Sequence, residues 1–269
     1  MINKFNYTDL IGVTLGTQTT PNYIIDNIMD LKNGYYKLFL IGKNNDKLWK
    51  VINISFEELM AIYDDYLVRE KRRQILKERN IAKMVHFTKV DNLESIFEYG
   101  IHSIESLKLL GVNYLPSDLY RLDGKLDKIS TSISYPNYKM FYKKRMEDTS
   151  VDWVVITIKP KLIIDKLDSE FYSDNAARGG GCQGLAPTTN EDLEGMFYAS
   201  NRASFIPSSY TTNPQAEVLI NNRISTKYFM NVESNKEIPK VKSLTRDAHV
   251  DYNPNSQLFY ARSDYSRWR

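Results

Sequence analysis

Residues 213–220 read Asn213-Pro214-Gln215-Ala216-Glu217-Val218-Leu219-Ile220, a stretch that places a carboxylate within an apolar run typical of a β-strand. Side chains alternate between the two faces of a strand, so Gln215 and Glu217 are predicted to lie side by side on one face. Taken alone, these residues favour an edge strand whose polar face meets water. A catalytic carboxylate is the alternative, and the rest of the chain decides between the two.

Composition limits the class of protein. The 269 residues are 42% hydrophobic, which is enough for one large domain or for a smaller domain with an appendage. The net charge of +3 does not require a polyanionic partner, but it allows one if the basic residues cluster. The 19 tyrosines suit a surface that stacks on planar ligands, although low-GC coding bias explains them equally well.

Several classes are excluded or disfavoured. The single cysteine, Cys182, rules out an internal disulfide and a cysteine-based zinc site, and we expect no metal. No apolar run reaches the ~18 residues that a membrane span needs, and the N-terminus lacks a signal-peptide pattern. We therefore expect a cytoplasmic protein with no membrane partner.

Residues 1–80 are predicted to form a unit of their own. Strand-like runs at 35–41 and 47–54 flank a turn and predict a hairpin. Ser55 and Glu58 form a capping box that begins a helix ending near Asn80. Its basic run, residues 71–79, favours a solvated face over a phosphate site. The unit carries no recognisable chemistry, and a structural role is the default interpretation.

Residues 81–269 are predicted to form an α+β domain of short strands and loops. Strands are expected at 81–88, 128–134 and 152–158, and a short helix at 136–146. Asp91 and Glu94 predict the cap of another short helix, which ends at Gly100. A loop-rich segment, 169–209, leads into the Gln215 strand, and loops of this length usually carry function. Alternating aromatics and arginines at 258–269 suit contact with a nucleic acid.

Six motifs follow one another in this second part. They are Val85-His86-Phe87-Thr88, Val90-Asp91-Asn92-Leu93, Arg121-Leu122-Asp123-Gly124, Ser134-Tyr135-Pro136-Asn137-Tyr138-Lys139-Met140-Phe141-Tyr142, Asp174-Asn175-Ala176-Ala177 and Pro214-Gln215-Ala216-Glu217-Val218-Leu219. In this order they resemble the DarT family of nucleic-acid ADP-ribosyltransferase toxins, which have a diphtheria-toxin-like fold. The resemblance covers roughly residues 82–269. It implies a split β-sheet core and an NAD-dependent enzyme.

The resemblance also implies roles for two residues in catalysis. Breaking the bond between nicotinamide and ribose builds positive charge on the sugar, and a carboxylate beside it stabilises that charge. Glu217 matches the family's strand glutamate and is the predicted catalytic residue. Arg121 matches the catalytic-loop arginine, whose guanidinium would bind the diphosphate or steady the acceptor. Without the resemblance, an exposed loop arginine would be the favoured interpretation of Arg121.

The remaining site predictions divide between the two substrates. The resemblance implies that NAD contacts a set of polar and aromatic side chains: His86, Phe87, Thr88, Asn92, Ser132 and Tyr142. His86 would bind a ribose hydroxyl, and Tyr142 would stack on nicotinamide or merely pack. The predicted residues for the nucleic-acid acceptor are Gln215, Arg178, Arg202 and Tyr210.

The predicted acceptor is a base of single-stranded DNA. The segments at 134–138 and 174–177 look closer to the guanosine-modifying branch of the family, so guanine is favoured and thymine is the alternative. Family analogy implies a bacterial toxin of a toxin–antitoxin or phage-defence system, with an antitoxin such as a macrodomain-type ADP-ribosyl hydrolase. RNA or protein as acceptor, simple NAD hydrolysis and a non-catalytic binding module on the same fold are the alternatives.

Overall fold

A computed structural model describes residues 6–15, 23–42, 45–112, 114–115, 124–179, 185–198 and 202–265, with only the backbone described at 45–49 and 178–179. The β-strands are β1 (Thr14–Leu15), β2 (Tyr23–Asp30), β3 (Tyr35–Gly42), β4 (Asn45–Ser55), β5 (Met84–Lys89), β6 (Ile101–His102), β7 (Lys128–Ile133), β8 (Trp153–Ile158), β9 (Glu170–Tyr172), β10 (Glu217–Asn221), β11 (Arg223–Ile224), β12 (Phe229–Glu233) and β13 (Asp251–Asn253). The α-helices are α1 (Phe56–Glu78), α2 (Leu93–Tyr99), α3 (Ile104–Leu110), α4 (Tyr138–Glu147), α5 (Lys161–Asp165), α6 (Asn190–Gly195) and α7 (Pro239–Asp247).

The chain divides into two compact units, Met1–Lys71 and Arg72–Arg269. The division falls within α1, whereas the sequence predicts a boundary between residues 80 and 81, which stays a prediction. No helix among the described residues is long and apolar enough to cross a membrane.

The first unit is a four-stranded antiparallel sheet in the order β1-β2-β3-β4. The hairpin expected from the sequence is the β3–β4 pair, and β1 and β2 extend it. The capping box at the start of α1 is present, because Glu58 N donates to Ser55 Oγ and Ser55 N donates to Glu58 Oε2, at 3.2 and 2.8 Å. Leu59 of α1 is fully buried with Leu38 of β3 in the core of this unit.

The second unit is built on a seven-stranded sheet in the order β13-β12-β8-β5-β7-β10-β9. Every residue of β8 is buried, as its continuous apolar run predicts. β5 pairs with β8 along its whole length but with β7 only at Met84 and Val85. The sheet therefore splits after two residue pairs, and this split opens the space described below. The α+β fold with a split sheet, as predicted, is confirmed.

The predicted capping box of α2 is wrong, although the predicted end of this helix is confirmed. A 3₁₀ turn (Val90–Asn92) leads into α2, and neither turn nor helix has a side-chain cap, so Asp91 and Glu94 form no capping box. The helix does end at Gly100, which adopts a φ of +90°. A Cβ there would lie 2.5 Å from the carbonyl oxygen of Ile224, so the backbone approach also requires glycine.

The strand expected at 213–220 begins only at Glu217. Residues 213–216 instead form a turn, because the Asn213 side chain accepts a hydrogen bond from Gln215 N at 2.9 Å and Asn213 O accepts one from Ala216 N at 3.1 Å. Asparagine competes with strand pairing in this way, and Pro214 has no N–H to offer a neighbouring strand.

Candidate active site

A cavity of about 770 Å³ lies within the second unit, where β5 and β7 part. This volume is in the range of sites that hold a cofactor-sized ligand. Its polar lining includes His86, Thr88, Asn92, Ser130, Gln215 and Glu217. Four lysines also line it, namely Lys128, Lys139, Lys143 and Lys144. The cavity thus brings together a carboxylate, an imidazole and several cations.

Glu217 is the first residue of β10, and it is buried with an exposed fraction of only 6%. Its carboxylate accepts hydrogen bonds from Ser130 Oγ at 3.2 Å and from Ala176 N at 3.1 Å. Ala176 begins the short 3₁₀ helix Ala176–Gly179. The motif at 174–177 therefore holds the glutamate of the motif at 214–219 in place. Two donors on separate elements therefore hold a buried carboxylate at the wall of the cavity. Residues 213–220 alone favour an edge strand whose polar face meets water, and the burial of Glu217 excludes that interpretation.

Ser130 is the residue that the sequence prediction missed. It lies in β7 and lines the cavity, whereas the predicted Ser132 is buried, pairs with Val85 and is not among the residues that line the cavity. Both serines belong to the same Ser-Thr-Ser run and the same strand face. In the pairing of β7 with β10 Ser130 lies opposite Leu219, so its hydroxyl reaches Glu217 diagonally across the two strands, and the sequence alone does not specify this contact.

His86 spans the split in the sheet. Its Nδ1 lies 2.9 Å from the carbonyl oxygen of Ser130, where regular pairing between β5 and β7 has already ended. A carbonyl oxygen can only accept, so Nδ1 must carry the proton. In the neutral imidazole Nε2 is then an acceptor, which suits the ribose hydroxyl predicted for this position. Ser130 thereby contacts His86 through its carbonyl and Glu217 through its hydroxyl.

The Asn92 side chain holds a neighbouring segment in place. Its Nδ2 donates to Thr88 Oγ1 at 3.0 Å and to Leu115 O at 2.8 Å, and its Oδ1 accepts from Leu115 N at 2.9 Å. Both predicted residues, Thr88 and Asn92, line the cavity. Phe87 lines it too, while its ring stacks on Phe141 with centroids 4.7 Å apart. NAD contact by these three residues stays a prediction.

Two predicted acceptor residues are already engaged in internal contacts. Arg202 donates to Thr212 Oγ1 at 3.0 Å and to Pro207 O at 2.7 Å, which braces the segment before Glu217. Tyr210 packs beside Tyr135 with ring centroids 5.6 Å apart, and burial raises its pKa. Gln215, by contrast, lines the cavity.

The C-terminal part of the chain holds the same segment. Arg262 is buried, forms a bidentate ion pair with Asp264 at 2.6 Å, and donates to Thr211 O and Thr212 O at 2.9 and 3.2 Å. Arg262, one of the arginines of the 258–269 tail predicted to contact nucleic acid, is therefore an internal brace, and residues 266–269 lie outside the described residues.

Three further predictions, for Tyr142, Arg121 and Arg178, stay untested. Tyr142 is 58% exposed on α4 and is not among the residues that line the cavity, so its stacking on nicotinamide stays a prediction. Arg121 lies outside the described residues. The backbone of Arg178 belongs to the 3₁₀ helix after Asn175, but its side chain lies outside what the structure describes.

A buried charged cluster lies on the same sheet, beside the site. Glu170 of β9 forms an ion pair with Lys128 at 3.0 Å and another with Lys125, and it accepts a hydrogen bond from Tyr172 Oη at 2.8 Å. Burial by itself would raise the pKa of Glu170, but the hydrogen bonds from both lysines and Tyr172 outweigh it and lower that pKa. Burial is the main cause that raises the pKa of Tyr172 to about 12. Since Tyr172 pairs with Glu217, this cluster lies on the strand next to the Glu217 carboxylate.

Comparison with known proteins identifies the family. A family model described as "ssDNA thymidine ADP-ribosyltransferase, DarT" matches residues 85–256. The chain belongs to the DarT family. The family predicted from the six motifs is thus confirmed, and this DarT-family chain is an ADP-ribosyltransferase that acts on single-stranded DNA.

Solved structures of DarT proteins are similar to this DarT-family chain. Thermus sp. 2.9 DarT in complex with NAD⁺ is 11% identical over 67% of this chain and 98% of that chain, with a TM-score of 0.45. The same protein with ADP-ribosylated ssDNA is 10% identical over 67% and 97%, with a TM-score of 0.48. Thermosipho africanus DarTG in complex with ADP-ribose is 14% identical over 66% of this chain, with a TM-score of 0.44. The match spans about half (51%) of the DarTG chain. No curated protein matches this sequence.

Proposed function

We propose that this chain transfers ADP-ribose from NAD to a base of single-stranded DNA, with Glu217 as the catalytic carboxylate. The observation that carries the proposal is the buried Glu217 carboxylate, which two hydrogen bonds hold at the wall of a cavity of about 770 Å³. A fixed carboxylate in a site sheltered from water stabilises positive charge better than a mobile one at the surface.

The reaction proceeds by substitution at the ribose carbon that bears nicotinamide. The bond from this carbon to the nicotinamide nitrogen breaks, and nicotinamide leaves as a neutral molecule with the electron pair. A nitrogen of the base forms the new bond and loses a proton. Glu217 stabilises the sugar cation and takes that proton, which then passes to water. His86 orients the sugar through Nε2, and Gln215 orients the incoming base.

The acceptor base distinguishes two versions of the proposal. Guanine is favoured by the segments at 134–138 and 174–177, whereas thymidine is the nucleoside named in the description of the family. Arg121 is proposed to bind the diphosphate or steady the acceptor, as the family resemblance implies. We propose that the protein is a bacterial, cytoplasmic toxin with a hydrolase-type antitoxin. We also propose that residues 81–269 form the transferase domain and that residues 1–80 have a structural role.

The proposed function is tested by measuring which macromolecule receives radioactive label from NAD that carries radioactive phosphate. The full chain is incubated with separate pools of single-stranded DNA, RNA and protein. Label is expected on DNA and is expected to fall about 10²–10³-fold in Glu217→Gln. Glu233→Gln is the matched control, because Glu233 is also buried but lies on β12, outside the cavity. Oligonucleotides that lack either guanine or thymine identify the acceptor base. Label on RNA or protein alone, or intact NAD in every pool, would refute the proposal.

A further inference from the structure

One face of α4 is exposed beside the cavity and carries both charge and an aromatic ring. Lys139, Tyr142, Lys143 and Met146 recur at the spacing that places side chains on one helix face, and all four are exposed. Tyr142 is 58% exposed and Met146 49%. We call these four residues the α4 platform. Its two lysines also line the cavity that contains Glu217.

The charges of the platform are not neutralised by any residue that the structure describes. Among the described residues, neither Lys139 nor Lys143 has an ion-pair or hydrogen-bond partner. Their neighbours on the same helix differ, since Lys144 forms an ion pair with Glu147 at 3.4 Å and Arg145 donates to Phe259 O at 2.6 Å. The platform therefore presents two positive charges to whatever lies at the cavity.

The platform lysines differ from Arg202 and Tyr210, two of the predicted acceptor residues, because those two are engaged in contacts within the protein. Arg202, Arg262 and Tyr210 are engaged in contacts within the protein that brace the segment before Glu217. Their side chains would have to leave these contacts to grip DNA. Among the described residues, Lys139 and Lys143 lose no hydrogen bond or ion pair when they bind a strand. The Arg145 guanidinium lies over the ring of Tyr142, 6.0 Å from its centroid, and the exposed part of the ring is left for a base.

We propose that the α4 platform binds the acceptor DNA strand, with the lysines on its phosphates and Tyr142 stacked on an unpaired base. The inference rests on the proposed function and names the surface that delivers DNA to its site. Proteins that bind single strands combine cationic side chains along the backbone with aromatic rings on which bases stack. Lys139 and Lys143 lie one turn apart, about 6 Å along the helix axis, with Tyr142 next to Lys143 on the same face.

Direct binding tests the platform independently of catalysis. Fluorescence polarisation of a labelled oligonucleotide is measured with the full chain and with Lys139→Ala/Lys143→Ala, across a range of salt concentrations. Losing two phosphate contacts is expected to reduce the slope of log affinity against log salt by about 1.4. Tyr142→Ala is expected to weaken binding about 5- to 150-fold, and Tyr142→Phe is expected to keep most of the affinity.

Control variants distinguish loss of positive charge in general from loss of DNA binding and from loss of NAD binding. Lys139→Arg/Lys143→Arg should bind like the parent, and so should Lys240→Ala/Lys242→Ala, which removes the same charge from α7, outside the cavity. An unchanged salt slope in the double alanine variant would overturn the proposal, as would tighter binding of RNA of the same sequence. A higher KM for NAD with an unchanged KM for DNA would assign the lysines to the donor and also overturn it. If the parent binds DNA through the platform but transfers no label, the proposed function fails while this inference stands.

Discussion

Arg72 is expected to contribute about 3 kcal/mol to the stability of the second unit. Its side chain is fully buried and donates to four carbonyl oxygens, those of Ile163, Lys166, Leu167 and Thr188, at 2.6, 3.0, 3.1 and 2.8 Å. Its guanidinium also lies over the ring of Phe171, 5.0 Å from the centroid. Replacing it with methionine keeps most of the volume but removes every donor.

The magnitude follows from these contacts. Lys166 O still accepts from Ser169 N and Ser169 Oγ, so three carbonyls lose a charged donor, at about 1.5–3 kcal/mol each before the offset for burying the charge. The lost ring contact adds about 0.5–1 kcal/mol. Methionine also removes the cost of burying a charge, which offsets part of the loss. We therefore expect Arg72→Met to lower the free energy of unfolding by about 3 kcal/mol.

Amide hydrogen exchange is the suitable assay, because protection of β8 reports the second unit separately from the first. Lys77→Met is the matched control: Lys77 is an exposed cation on the same helix, and its loss should change stability by less than about 0.5 kcal/mol. A chain that begins at Ile81 lacks Arg72 and should lose at least as much protection as Arg72→Met. If Arg72→Met stays within about 0.5 kcal/mol of the parent, the reasoning is wrong.

Three further predictions concern the site and its supports. Ser130→Ala should lower kcat about tenfold without unfolding the chain, because Glu217 loses one of its fixing hydrogen bonds, and Ser132→Ala should lower it much less; equal effects would contradict the assignment. Glu170 has a lowered pKa in the folded chain, so its stabilisation is present above its ordinary pKa of 4.5 and is lost as pH falls through the folded value. Urea unfolding should show Glu170→Gln less stable by about 2 kcal/mol at pH 7 and nearly equal to the parent at strongly acidic pH, and a gap that persists in acid would refute this. Arg262→Met should cost about 3–5 kcal/mol because it strands the buried Asp264 charge, and adding Asp264→Asn should recover part of the loss in the same assay.

The placement of two candidate residues in one cavity is predictable because six motifs follow one another in the order of one family. Glu217 and His86 were identified from motifs, and both line one cavity. The contact of Ser130 with Glu217 is not predictable, because it runs diagonally between strands in which Ser130 lies opposite Leu219, and the role of Ser132 stays a prediction. The contacts of Arg202 and Arg262 were also beyond prediction, because an arginine that grips phosphate and one that braces carbonyls look alike in a sequence. The turn before Glu217 was missed because the apolar pattern outweighed the turn signal of Asn213 and Pro214.

The position of Ser130 makes the two halves of the site thermodynamically dependent. Its carbonyl contacts His86 and its hydroxyl contacts Glu217, so movement of one strand residue displaces both partners together. Effects of substitutions at His86 and Glu217 should therefore not add in a double-mutant cycle. A gain in donor affinity obtained by shifting His86 would be accompanied by a change in the placement of the carboxylate. Under the proposed function, variants at this position are thus expected to change nucleotide binding and turnover together.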